Sequence, residues 1–281
     1  MNSCKAIIKK CLNGIQKTFN SILWVCIALF RQGFKNRIKS ENREKNLVIL
    51  AGGPSLKNDI ENIDFNSSDI SVVNAFFQSP WFKRLKPHYY VVADPVFFRR
   101  EENLSPIIRD VDWDMVLLVP TIAWKNMKNL HSVPNKNITI LPYNSLPYNG
   151  FECIKYKLYE NGLSMPKVQN VLVASIFTGI NLGYKEIRLY GVDHSWTKTL
   201  GVNSQNEVCA VDDHFYDKNE STFSPYWKDP ETKEMFKMHE LLRAFAQMFE
   251  SYHVLRGYAD YKGVRIVNCT KESFIDAFER A

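Results

Sequence analysis

Five short stretches of this 281-residue chain carry residues whose types and spacing suit chemistry. "AGGPSL" holds Gly52, Gly53, Pro54 and Ser55 directly after an apolar run. "VVADP" ends in Asp94, and "VVNAFF" places Asn74 in the same relative position after its own run. "LYGVDHSW" delivers Asp193, His194 and Ser195 behind Gly191. "AVDDHFYD" crowds Asp212, Asp213, His214 and Asp217 into a polar stretch. A glycine turn lets backbone approach a phosphate closely, and Ser55 suits the cap of a helix whose N-terminus attracts anions. This turn has neither the Gly-Lys-Ser/Thr of a P-loop nor GxGxxG spacing, so a plain strand-to-helix turn stands beside the phosphate reading. Asp94-Pro95 equally suits a helix start with proline in its first turn. An imidazole on a loop over a sheet can serve an acceptor hydroxyl as base, which singles out His214. The same carboxylates and imidazole suit Mg²⁺ or Mn²⁺, or simply a solvated acidic loop.

These residues need a scaffold that brings strand ends together. Apolar runs at 47–50, 70–73, 89–93, 115–119, 138–141, 187–190 and 264–267 predict strands, and the patterns at 168–182 and 234–255 predict helices. Strands alternating with helices imply an α/β, Rossmann-like fold: a mostly parallel sheet flanked by helices, with a C-terminal helical and lid portion. In such sheets ligands sit beyond the carboxyl ends of the strands, where the first four of these polar stretches fall. The segment 220–231 is rich in aromatics and proline (Phe223, Pro225, Tyr226, Trp227, Pro230), which suits a lid or a surface for a sugar or base.

Charge divides the chain into an arm, 1–45, and a domain, 46–281. Of the net +6, residues 1–45 carry +8 and the remainder −2, so the domain is a poor nucleic-acid partner. The arm holds an apolar run at 22–30, too short for the roughly 20 residues of a membrane span. Cations follow it where a signal peptide would have a small-residue cleavage site. An amphipathic helix on an anionic membrane surface is the expectation, with ordinary packing on the domain or another copy as the alternative. Six scattered cysteines without a CxxC pair read as free thiols in a reducing compartment. Together these place the protein peripherally on the cytoplasmic face of the inner membrane.

The segments "VILAGGPSL", "VNAFF", "YYVVADPVFF", "NLGYKEIRLYGVDHSW", "DDHFY" and "VRIVNCTKESFIDAF" occur in an order that resembles the MptE-like, Maf-type (domain of unknown function 115) proteins. The order is also similar to the small bacterial sialyltransferases of glycosyltransferase family 42. The resemblance covers roughly residues 46–280, and its most specific piece is "LGYKEIRLYGVDHSW". It implies a nucleotide site at Gly52, Gly53, Pro54, Ser55, Asn74, Asp94, Gln169, Asn170 and Ser195, and a catalytic set of His214, His194 and Asp193. His214 matches the family base. Asp94 stands where the sialyltransferases have Asn, Gln169-Asn170 replaces a Thr-Ser pair, and His194-Ser195-Trp196 replaces phosphate-binding tyrosines.

The implied function is inverting glycosyl transfer from a nucleotide sugar, with CMP-nonulosonate or CMP-Kdo as candidate donors and a glycan or glycolipid acceptor. The setting would be cell-surface polysaccharide or lipopolysaccharide synthesis. A CMP-sugar donor requires no metal or other cofactor. Two alternatives remain open on the sequence. One is 6-hydroxymethylpterin diphosphokinase-like transfer from ATP, which needs Mg²⁺ on Asp94, Asp193 and Asp213. The other is a non-catalytic nucleotide-binding scaffold.

Overall fold

The computed structural model describes residues 2–31, 38, 43–99, 104–126, 135–217, 222–229 and 231–281. The side chains of 2–8, 27–31, 106 and 125–126 are not described. Most of the segment between the arm's apolar run and the domain therefore lies outside the described residues, as does Pro230.

Eight strands form one sheet: β1 (Asn46–Leu50), β2 (Ser68–Val73), β3 (Tyr89–Val91), β4 (Met115–Pro120), β5 (Ile138–Tyr143), β6 (Glu186–Tyr190), β12 (Arg265–Asn268) and β13 (Glu279–Arg280). Between β6 and β12 come five short strands, β7 (Gly201–Val202), β8 (Val208–Ala210), β9 (Ser224–Pro225), β10 (Trp227–Asp229) and β11 (Glu234–Met235). The large sheet runs β13-β12-β6-β1-β2-β3-β4-β5 with every described pairing parallel. From β1 the chain moves outward to β5, then returns to lay β6 on the other side of β1. The strand order thus reverses between β1 and β6, the place where open α/β sheets take ligands.

The helices are α1 (Asn2–Arg31), α2 (Leu56–Asp59), α3 (Trp81–Leu85), α4 (Val96–Arg99), α5 (Ser105–Arg109), α6 (Thr121–Asn126), α7 (Glu152–Glu160), α8 (Val171–Leu182) and α9 (Met238–Lys262). The unbroken apolar run of β1 follows from burial on both faces: Leu47 and Ile49 join the core under α8 and α9, while Val48 and Leu50 join the core on the opposite side. All twelve residues of α8 are buried. Gly179 makes this close fit to the sheet, because a Cβ there would meet Leu47 Cδ2 at 2.7 Å.

The expected strands all form, with boundaries shifted by up to a few residues. The first helix starts at 171 instead of 168, because Asn170 caps it by accepting from Leu172 N at 2.8 Å. The second was expected over 234–255 but runs Met238–Lys262. Residues 234–235 pair with β10, and Tyr258 and Ala259 carry the buried face past 255. The small strands β7-β8-β9 and the hairpin β10-β11 make up the region between sheet and α9. Arg99 of α4 holds that hairpin to the sheet rim through a bidentate pair with Asp229 at 2.8 and 2.9 Å.

Candidate active site

The glycine turn after β1 and the loop after β6 are joined backbone to backbone. Ala51 N donates to Tyr190 O at 3.0 Å and Gly53 N to Gly191 O at 2.9 Å. The Asp193 carboxylate reaches back across the join, accepting from Ser55 Oγ at 2.8 Å and Ser55 N at 3.2 Å. A Cβ on residue 53 would lie 2.0 Å from Asp193 Oδ2, so glycine is required there. Gly191 has φ +65°, and a Cβ there would press on Leu56 and Ala51. Burial raises the Asp193 carboxyl pKa, while its bonds to Ser55 favour the charged form. Gly53 and Ser55 have therefore spent their amides on the join, and proline has none. Among the described residues the Gly52 amide has no backbone partner in the turn.

His214 is placed by its own loop. Phe215 N donates to Gly52 O at 3.0 Å, and the Phe215 ring packs on Phe76 in the core. Upstream, Val211 N donates to Thr199 Oγ1 at 3.0 Å and Trp196 Nε1 donates to Asp212 Oδ1 at 3.0 Å. Between these anchors Asp217 accepts from His214 N at 2.7 Å and sets its Oδ2 3.5 Å from His214 Nδ1. Tyr216 stacks on the imidazole with centroids 5.0 Å apart. The ring is half-buried and lies over Gly52, where an added Cβ would come 3.1 Å from Cδ2. A carboxylate behind Nδ1 fixes an imidazole with Nε2 as the nitrogen available to a substrate.

These elements enclose a cleft of about 210 Å³ at the β1–β6 switch point, lined among others by Gly52, Gly53, Pro54, Asn74, Asn170, Val171, His194, Ser195, Lys198 and His214. Asn74 sits in the left-handed region (φ 42°), its Oδ1 accepting from Ala93 N at 3.2 Å. The N-terminus of α8 opens on the cleft, and its first turn contains no acidic residue. Such an end favours an anion. Lys198 is the cleft's only Lys or Arg among the described lining residues; its Nζ lies 3.2 Å from Glu272. His194 is buried among Trp196, Phe249 and Tyr252, with Nε2 2.6 Å from the Tyr252 hydroxyl. Burial lowers its pKa to about 3, so it is neutral at physiological pH and serves a phosphate only as a neutral partner.

Gly52, Gly53, Pro54, Asn74, Asn170, Asp193, His194, Ser195 and His214 thus come together in one cleft. Three expected residues do not line it. Ser55 stands behind the wall as the partner of Asp193. Asp94 is exposed and its Oδ1 accepts from Val96 N at 3.0 Å, so the helix-start reading of Asp94-Pro95 describes it. Gln169 points away and donates to Gln247 on α9 at 2.8 Å. Asp193 is a brace of the turn, its two oxygens engaged by Ser55. Of the carboxylates weighed for Mg²⁺, Asp94 lies outside the cleft at a helix start, while Asp193 and Asp213 both line it, Asp193 with its two oxygens on Ser55. Among the described residues no group of three His, Cys, Asp or Glu is arranged to hold a metal ion. The three carboxylates weighed for Mg²⁺ are thus not assembled in one place.

Sequence reasoning passes over Lys198, Thr199 and Tyr216, and sees Asp217 only as part of an acidic crowd. The i, i+3 spacing of His214 and Asp217 was the available signal; nothing local distinguishes Lys198. A second groove of about 550 Å³, lined by Phe98, Ile122, Tyr143 and Val168 among others, lies at the ends of β3–β5. Its cations are already engaged, Arg99 by Asp229 and Lys167 by Gln247.

No family model and no curated protein sequence matches the chain. Solved structures similar to it include the Campylobacter jejuni sialyltransferase CstII in complex with cytidine-5'-monophosphate, at 14% identity and TM-score 0.44, covering 85% of this chain and 86% of that one. The alpha-2,3-sialyltransferase from Campylobacter jejuni in apo form has 15% identity and TM-score 0.45, covering 87% and 82%. The MAf glycosyltransferase from Magnetospirillum magneticum AMB-1 has 13% identity and TM-score 0.44, and the match spans 92% of this chain but 38% of that larger one. Likenesses of this size assign no activity.

Proposed function

We propose that the protein transfers a sugar from a nucleotide donor to an acceptor hydroxyl with inversion, using His214 as general base. The observation that carries this reading is the Asp217–His214 pair, held over Gly52 at the switch point and sharing its cleft with the N-terminus of α8. In the proposed step Nε2 of His214 takes the acceptor proton as the oxygen attacks the anomeric carbon. The bond to the phosphate oxygen breaks, and its electron pair leaves with the nucleotide. Val171 N–H at the helix end, Gly52 N–H and Lys198 supply the positive potential for that departing charge. Neutral His194, Ser195 and the Asn74 amide complete the polar lining. The sequence resemblance makes a CMP-linked nonulosonate or Kdo the expected donor and cell-surface glycan synthesis the expected setting. Of the carboxylates of the Mg²⁺-dependent alternative, Asp94 lies outside the cleft and Asp193 is bound to Ser55, which favours glycosyl over diphosphate transfer.

Replacing the base tests the reading. General bases contribute about 10²–10⁴-fold, so His214→Ala should lower turnover of a nucleotide sugar by that factor with nucleotide affinity nearly unchanged. Asp217→Asn should cost less, since it loosens the ring without removing it. Near-parental turnover in His214→Ala would remove His214 from the mechanism.

A further inference from the structure

The helix α1 rests on the domain by the wrong side for a helix of a globular surface. Ser21 and Trp24 make the contact: Ser21 Oγ lies 2.8 Å from Tyr148 OH, and the buried Trp24 ring meets Tyr148 edge-on at 5.6 Å. The fit is close, since a Cβ on Gly150 would come 2.4 Å from Ser21 Oγ. Leu12, Ile15, Phe19, Ile22, Leu23 and Val25 are all exposed, from 46% to 66%. At about 100° per residue these six share an arc of roughly 160° that excludes Ser21 and Trp24. Surface helices ordinarily turn such a stripe toward the core. Here it faces outward.

Charge indicates what covers it. Lys9 and Lys10 are exposed and fall on either side of the apolar arc, on an arm that carries +8. A second copy pairing through this face would set one such arm against another, whereas anionic headgroups neutralise it. No helix among the described residues is long and apolar enough to cross a membrane. We infer that α1 lies in the plane of an anionic lipid surface, apolar arc in the acyl boundary, with Ser21 and Trp24 fixing the domain on its other side. This stands independently of the transfer reaction.

The test is flotation of the full-length protein with phosphatidylcholine vesicles, with and without phosphatidylglycerol, at low and high salt. Binding is expected to the phosphatidylglycerol vesicles and to weaken with salt. Phe19→Asp, and separately Ile15→Asp, should each lower it about tenfold or more by charging the buried face. Ser21→Ala, on the docked side, should retain it. Both aspartates replace exposed side chains, and an unchanged thermal melt certifies the fold. Failure to float with anionic vesicles overturns the inference, as does floating that Phe19→Asp leaves intact. Light scattering that finds a dimer in the parent and a monomer in Phe19→Asp, without lipid binding, assigns the face to a second copy instead.

Discussion

The two glycines of the turn have different duties, and alanine at each should report them separately. At position 53 the new methyl would overlap Asp193 Oδ2 at 2.0 Å and Gly191 O at 2.5 Å. Backbone cannot yield there without opening the β1–β6 join, so the carboxylate must leave Ser55. Two hydrogen bonds to a charged group are lost, worth about 1.5–3 kcal/mol each. Alanine recovers about 0.4–1 kcal/mol by restricting the unfolded chain. The net expectation for Gly53→Ala is a loss of about 2–5 kcal/mol. At position 52 the nearest atom is His214 Cδ2 at 3.1 Å, on a half-buried ring that can shift. Gly52→Ala should therefore cost under about 1 kcal/mol yet displace the base and lower turnover. Urea unfolding of both variants gives the stabilities, and turnover of a nucleotide sugar gives the second readout. A Gly53→Ala protein within about 1 kcal/mol of the parent would refute the reasoning, because an overlap of that size has no inexpensive relief.

Two further predictions concern charge. The His194 pKa is lowered from 6.5 to about 3, so the unfolded chain binds a proton there first. Its contribution is complete above about pH 6.5 and falls by about 1.4 kcal/mol per pH unit as pH drops toward 3. Between pH 6.5 and 5, above the range where the lowered surface carboxylates Glu160 and Glu186 titrate, that is about 2 kcal/mol. His194→Phe should flatten the slope in urea unfolding across that interval. Lys198→Met removes the cleft's cation and should weaken nucleotide binding about tenfold, read by calorimetry, with little change in stability because the side chain is half-exposed.

Much of the scaffold is legible because strands buried on both faces leave apolar runs, as 47–50 and 70–73 show. The strand-end rule gathers Asn74, Asp193, His194 and Ser195, and the four line one cleft. What was not legible is where side chains turn once they arrive. Asp94 and Asn74 both follow apolar runs, but Asp94 spends its carboxylate on Val96 N while Asn74 adopts a left-handed backbone and stays in the cleft. Asp193 looked catalytic from its neighbours, yet its tertiary partner, Ser55, is 138 residues away. Lys198 joins the cleft only because the 196–199 turn is tied to Val211 and Asp212, a long-range arrangement without local pattern. The arm was read as an amphipathic helix from composition; that its apolar side faces away from the domain emerges only from its docking through Ser21 and Trp24.

The central claim is that the switch-point cleft takes a nucleoside phosphate through backbone amides, a helix end and Lys198, without a metal. Calorimetric titration of the full-length protein with CMP, UDP, GDP and ATP, each in chelator and then in Mg²⁺, tests it most directly. Saturable binding of a pyrimidine or guanine nucleotide in chelator, unchanged by Mg²⁺, is the predicted result. Binding confined to ATP with Mg²⁺, or no binding of any nucleotide, would contradict it.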